Sequence, residues 1–381
     1  MTPSARCAAA IMVLDRILAG EPAEKALTNW GRANRFAGSG DRAAVRDIVF
    51  DALRQRHSAA VLGGGPTGRG LVLGLCRAAG QEALFSGEGH APLPPGPDEA
   101  GREPLAEERL DLPDWLLPEL RESLGADLEP VAAALRLRAP VFLRVNLRRG
   151  GVADAVAALA ADGIKVQPHP LAATALEVVE NARRVQTSAA YLSGLVEMQD
   201  ASSQAVVEAL PLAEGMAVLD HCAGGGGKTL AMAARAKLRL FAHDASPRRM
   251  ADLPDRAKRA GVKVALTDTP EATAPYDLVL VDAPCSGSGS WRRDPGGKWR
   301  LTPETLADIE KTQAAILDRT APMLGKGGVL AYATCSLLRR ENGDQTRAFL
   351  ARHPGWTLGS ELRLTPLQGG DGFYLAILRR V

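Results

Sequence analysis

Two cysteines stand in matched settings. The stretch "LVLVDAPCSGSGSW" puts Cys285 just past an apolar, strand-like run, and "VLAYATCSLL" puts Cys335 at the end of the next such run. Serine follows each of them. Paired strands lie about 4.8 Å apart, so if these runs are neighbours both thiols face one crevice. A cysteine is commonly just a small buried hydrophobe, but two at strand mouths point to chemistry. The reactive form is the thiolate, which needs surroundings that lower its pKa. A thiolate so placed can add to carbon-6 of a cytosine ring, making carbon-5 enamine-like and able to take a methyl group from a sulfonium donor. The carbon-5 proton then leaves and the thiolate is expelled. One cysteine suffices for attack, and a second near the ring can assist release.

The stretch "DHCAGGGGKTL", residues 220–230, offers both a cation, Lys228, and a ligand loop. Four glycines, Gly224 to Gly227, precede Lys228 and Thr229, as in a phosphate-binding loop. That pattern needs its first glycine where Cys222 stands, so a nucleotide hydrolase is excluded. An apolar run, "GMAVLDHC", leads into the glycines and a helical run, "KTLAMAARA", leads out. Strand, glycine turn and helix form the first unit of a doubly wound sheet, where a ligand meets bare backbone.

The elements that position these motifs are read from periodicity. Further strand-like runs are "LRLFAHD", "VKVALTD", "DLVLVDA" and "GGVLAYATC", and "GFYLAILRR" closes the chain. Asp220, Asp244, Asp268 and Asp282 sit at or near four strand ends, and open parallel sheets bind ligands there. Asp244 follows Asp220 at a spacing close to that at which an acid receives ribose hydroxyls, so the loop reads as a nucleoside-cofactor site. Upstream, "PVFLRVNLRR", "VADAVAALAADGI" and "ALEVVE" read strand, helix, strand. Residues 86–104 are rich in proline and glycine and read as a linker or long loop. In the first segment Val45, Ile48, Val49, Ala52 and Leu53 form one helical stripe. Arg42, Arg46, Arg54 and Arg56 lie largely off it and, with Arg32 and Arg35, can as a group track phosphate.

Composition sets the bounds. The chain has 381 residues, 46% hydrophobic and 24% charged, with a formal net charge of +2, as in soluble globular proteins of two or three domains. Basic ends flank an acidic middle, which permits a nucleic-acid face. Five widely spaced cysteines without a C-x-x-C pair argue against zinc, any other metal centre or a disulfide framework, and fit a reducing cytosol. Neither a signal peptide nor a membrane span is expected.

The motifs "DHCAGGGGKT", "DAPCSGSGSW" and "YATCSLLRREN" resemble the three signatures of RNA cytosine-5 methyltransferases of the RsmB/Sun and Nop2 type. The resemblance covers roughly residues 130–381, and "MQDASSQ" resembles the segment preceding the first signature. It implies a Rossmann-like class I methyltransferase domain over 196–381, an α+β module over 111–195, and an N-terminal helical, NusB-like RNA-binding domain with its linker over 1–110. It also implies S-adenosylmethionine, held by Cys222, Ala223, Gly224, Gly225, Gly226, Gly227 and Lys228, with Asp244 on the ribose, Asp268 near the adenine and Asp282 between cofactor and base. Cys335 is then the nucleophile, Cys285 assists release, and Lys228 orients Asp282 and the base. Gly224 and Gly225 replace the alanine and proline usual in the family loop.

The implied substrate is 16S ribosomal RNA, met by a cytoplasmic monomer. "WRRDPGGKWR", residues 291–300, follows the Cys285 motif, and its arginines are expected to hold phosphates at the crevice mouth, while its tryptophans either stack on bases or plug a core. The target base must be single-stranded or flipped out. The alternatives are the same chemistry on transfer RNA, DNA methylation with Cys285 as attacker, and a non-catalytic ribosome-assembly factor.

Overall fold

The computed structural model describes residues 1–381 and divides into two compact units. The first comprises Met1–Pro118, Ala126–Arg138 and Trp291–Arg300. Its first stretch forms five helices, α1 (Pro3–Leu18), α2 (Ala23–Ala33), α3 (Ser39–Arg54), α4 (Arg56–Leu62) and α5 (Gly68–Ala78), and its later stretches add the helices Leu128–Leu135 and Gly297–Arg300. Side-chain oxygens cap α1 and α5, where Thr2 and Thr67 accept from the amides of Ala5 and Gly70. The stripe of α3 turns inward, with Val45, Val49, Ala52 and Leu53 buried against Val13, Leu14 and Leu71–Leu73.

The expected linker is part of this unit. Within residues 86–104, Glu99 pairs with Arg69 and its carbonyl accepts from Arg77. The proline and glycine content reflects an irregular path across the helices, not a join between domains. The segment 291–300 also belongs here. Lys298 is buried, its Nζ donating to the carbonyls of Arg54 at 2.8 Å and Asp111 at 2.5 Å. Trp299 Nε1 donates to the Leu53 carbonyl at 2.7 Å, and Trp291 and Arg292 are buried. The expectation that this segment's arginines hold phosphates at the crevice mouth is corrected for Arg292. Its aromatic-basic composition packs a core instead. Of the arginine group of α3 and α4, the expectation is corrected for Arg54 alone, which is buried against Asp51 and the Arg292 carbonyl; Arg46 pairs with Glu24 at the surface and Arg56 stacks over Trp299.

The second unit comprises Glu119–Gly125, Ala139–Ser290 and Leu301–Val381. It holds two sheets. The smaller is antiparallel, ordered β2-β3-β1-β4: β1 (Val141–Val145), β2 (Lys165–Pro168), β3 (Ala175–Glu180) and β4 (Val196–Met198). The helix Val152–Ala161 covers one face, burying Ala155 and Leu159 against Leu143, Val145 and Leu176. Strands β2 and β4 were not expected; at four and three residues they carry too little alternation to be legible. Asn146, just past β1, donates at 3.0 Å to the Gly194 carbonyl within this module and at 3.0 Å to the Ala260 carbonyl, which ties the module to the helix Leu253–Ala260 of the larger sheet.

The larger sheet is ordered β10-β11-β9-β8-β5-β6-β7. Its strands are β5 (Ala217–Asp220), β6 (Arg239–Ala242), β7 (Ala265–Leu266), β8 (Tyr276–Asp282), β9 (Leu324–Thr334), β10 (Trp356–Leu364) and β11 (Phe373–Arg380). Strands β5 to β9 are parallel, whereas β11 runs antiparallel to β9 and β10 to β11. Burial on both faces explains the unbroken apolar runs of the central strands. The sequence of β10, "WTLGSELRL", lies largely exposed at the sheet edge, and for that reason was not foreseen. From β5 the chain crosses to β6 on one side, while β8 lies on its other side. That reversal opens the crevice where doubly wound sheets bind ligands.

Candidate active site

Strand β5 ends on Asp220 and the chain turns through Cys222–Gly226 into the helix Gly227–Arg235. Gly224 and Gly226 take φ of +51° and +79°. A Cβ on Gly226 would come 2.2 Å from Leu253 Cδ1, so glycine is required there on both counts. The Gly224 amide donates to Asp244 Oδ2 at 2.9 Å, and the Ser246 amide to its Oδ1 at 2.9 Å. Asp244, two residues beyond β6, is thereby fixed beside the loop, with Arg249 Nη1 3.2 Å from Oδ2. Arg256 donates to the Gly225 carbonyl from outside the loop. Ala223 is buried beneath it. Asp268 is exposed at a bend past β7. This set of bare backbone and a fixed acid fits the methionine and ribose portions of a nucleoside sulfonium.

The second cluster lies at the ends of β8 and β9. These strands pair in register, Asp282 beside Ala333. The Ala283 amide donates to the Ala333 carbonyl, and the Gly289 amide to the Cys335 carbonyl, both at 2.9 Å. The two cysteine loops are thus pinned together, and Cys285 Sγ lies 3.3 Å from Cys335 Sγ. Both thiols are half-buried. Lys228 reaches in from the glycine-loop helix, with Nζ 2.6 Å from Asp282 Oδ2 and 4.8 Å from the Phe373 ring centre. Burial opposes the ammonium charge. Asp282, with Cys335 and Asp220, more than restores it, and the Lys228 pKa is raised.

The sulfurs are not equivalent. A hydrogen bond from Cys285 lowers the Cys335 pKa against burial and Asp282, with Lys228 and the Ser290 hydroxyl acting in the same lowering direction. The bond to Cys335, burial and the charge of Cys335, with the Glu341 carboxylate after them, push Cys285 well above the ordinary thiol range. Cys222 is pushed up as well, by burial and by Asp220, Asp282 and Asp244, so it stays a thiol. The structure therefore brings Cys285, Cys335, Asp282 and Lys228 into one cluster and Cys222–Gly227 with Asp244 into an adjoining one.

Sequence reasoning missed Glu341. It is fully buried and accepts from the Ser286 amide at 2.8 Å, the Gln313 side chain at 3.0 Å, and the Ser286 and Ser336 hydroxyls. Its position in the "RREN" end of the third motif was a signal, but only contacts across three segments give it meaning.

Fold and site define a class: a Rossmann-like methyltransferase that uses S-adenosylmethionine. Residues 207–379 match the family described as 16S rRNA methyltransferase RsmB/F, and residues 112–186 match the ferredoxin-like domain of RsmF/B-like methyltransferases. The ribosomal RNA small subunit methyltransferase B of Citrobacter koseri is 35% identical over 290 residues, covering 72% of this chain and 67% of its own. The crystal structure of PH0851 superposes with a TM-score of 0.77 at 23% identity, covering 100% of this chain and 99% of that one. A methyltransferase homolog protein from Pyrococcus horikoshii gives 0.63 at 25% identity, covering 72% and 97%. The chain belongs to the RsmB/F family of 16S rRNA methyltransferases, and it is an RNA methyltransferase enzyme. It spans about two thirds of the length of the curated relatives it matches. No helix is long and apolar enough to cross a membrane.

Proposed function

We propose that the chain methylates carbon-5 of a cytosine in 16S ribosomal RNA through a covalent adduct with Cys335. One observation carries the reading: two sulfurs 3.3 Å apart at the ends of adjacent strands, beside the Lys228–Asp282 pair. Bound S-adenosylmethionine supplies an electrophilic methyl group on sulfur. The Gly224–Gly227 backbone, with Cys222, Ala223 and Lys228, cradles its methionine end. Asp244 accepts the ribose hydroxyls in place of Arg249, and Asp268 borders the adenine. Asp282, held by Lys228, bonds the cytosine N3 and amino edge.

The Cys335 thiolate forms a bond to carbon-6, and the displaced ring electrons reach carbon-5, which takes the methyl group. Solvent water takes the carbon-5 proton, and the electron pair left behind restores the carbon-5–carbon-6 double bond as the carbon–sulfur bond breaks and frees the Cys335 thiolate. Cys285, retaining its proton, donates a hydrogen bond to the departing sulfur. Lowering of the Cys335 pKa and raising of that of Cys285 support this division of labour. Five free cysteines fit a reducing cytoplasm, and a cytoplasmic monomer is part of the proposal.

Bisulfite sequencing of total RNA from cells with and without the protein tests the reading. One protected 16S cytosine should become convertible when the protein is lost. Loss at a transfer RNA position would move the substrate, and no lost position in any RNA would overturn the proposal.

A further inference from the structure

The polar network behind the two thiols has a use of its own. Glu341 receives four hydrogen bonds, all from uncharged donors, which is about the capacity of a carboxylate. Ser286 directly follows Cys285 and Ser336 directly follows Cys335, so a single side chain grips both nucleophile loops. The serines also bond each other. Ser288 Oγ lies 3.1 Å from Ser336 Oγ and accepts from the Leu337 amide at 2.8 Å. Gln313 holds the far side, its Nε2 also 3.0 Å from the Pro284 carbonyl. Asn342 fixes the end of β9, its Nδ2 2.8 Å from the Ser336 carbonyl and its Oδ1 accepting from Thr334.

The charges are arranged on opposite sides. Cys285 faces Cys335, Glu341 and the Gly287 amide. Cys335 faces Cys285, Asp282, Lys228 and the Ser290 hydroxyl. The Cys335 side thus carries an ion pair, Lys228 with Asp282, and the Cys285 side the carboxylate of Glu341, which no cation is seen to pair.

Building on the Cys335 adduct mechanism, we propose that Glu341 is a positioning residue that sorts the two thiols: it clamps both loops and keeps the shared proton on Cys285, leaving Cys335 as the attacking sulfur. No bond is made or broken by Glu341, which acts through the field of its carboxylate and the serines it holds. The arrangement also explains why a buried acid sits behind a site whose reacting group must be a thiolate. Two of its four bonds come from Ser286, beside the sulfur that must stay protonated, and one from Ser336, beside the other.

Residue-resolved alkylation by iodoacetamide, read by mass spectrometry on the full chain without RNA or cofactor, tests this separately from methyl transfer. The wild type should alkylate mainly at Cys335. Glu341→Gln keeps the shape and removes the charge, so the Cys285-to-Cys335 ratio should rise about tenfold, with the Cys285 pH profile moving about one unit lower. Glu341→Asp keeps the charge, so it should retain the wild-type ratio while kcat falls through the loosened clamp. An unchanged ratio in folded Glu341→Gln overturns the proposal. If that variant fails to fold, loss of the Cys335 preference in folded Glu341→Asp overturns it instead. Failure of the methyl-transfer reading would leave these ratios intact and appear only in the RNA assay.

Discussion

The chain carries two pairs of adjacent thiols, in unlike surroundings. In the helical unit Cys7 of α1 and Cys76 of α5 are 4% and 6% exposed. Their mutual hydrogen bond and burial alone govern them, lowering Cys7 and raising Cys76. In the second unit Cys285 and Cys335 are half-buried at strand ends, and Lys228, Asp282 and Glu341 act on them. Close sulfurs are therefore not in themselves a site. What differs is access from the crevice and a cation that favours one thiolate. The buried pair fills space between helices, where cysteine behaves as a small hydrophobe.

The sharpest test substitutes alanine across both pairs. Cys335→Ala should lower methyl transfer at least about 10³-fold, since it removes the attacking atom. Cys285→Ala should leave protein covalently attached to RNA, seen as a denaturant-stable, RNase-sensitive band shift. Cys7→Ala and Cys76→Ala should leave kcat within about twofold, costing instead about 1 kcal/mol of stability each for the lost packing. Full transfer by Cys335→Ala, or an adduct mapped to Cys285, would reverse the comparison and make Cys285 the attacker.

A smaller effect isolates the cation. Lys228→Met keeps most of the side chain's bulk but removes the charge that helps lower the Cys335 pKa. The Cys335 pKa should then rise, so the acid limb of the kcat/KM profile moves about one unit to higher pH. A fall in rate with an unmoved limb would restrict Lys228 to holding Asp282. Cys7 and Cys76 have no such partner, and their alkylation profiles should not respond.

The same contrast explains what could be read from sequence. The parallel strands and their acidic ends were legible because burial on both faces leaves unbroken apolar runs, and because glycines, cysteines and Lys228 recur in signature spacing. Short or exposed strands such as β4 and β10 carry no such pattern. Residues 291–300 misled because arginine, lysine and tryptophan suit RNA and helix packing alike. Lys298 between two carbonyls and Trp299 against Leu53 decide for packing. Glu341 was out of reach for another reason, since Ser286 and Gln313 reach it from segments 55 and 28 residues away.

The effect smallest on rate concerns stability and falls on Asp220, the other buried acid of the crevice. One oxygen accepts from Thr229 Oγ1 at 2.6 Å and the other has no partner. Burial, with Asp282 and Asp244 adding repulsion, raises its pKa from 3.8 to about 7. At low pH the carboxyl is neutral in both folded and unfolded chains and costs nothing. As pH rises from about 4 towards 7 the unfolded chain ionises first, so unfolding releases a proton and stability falls. Above about 7 the folded carboxyl ionises too and the loss levels off, at a few kcal/mol by linkage. Asp220→Asn removes this dependence while keeping an acceptor for Thr229. Its thermal midpoint relative to wild type should therefore climb between pH 5 and pH 8 and then flatten. A constant difference across that window would mean that Asp220 is ionised in the fold, and that its unpartnered oxygen is satisfied by a donor such as water.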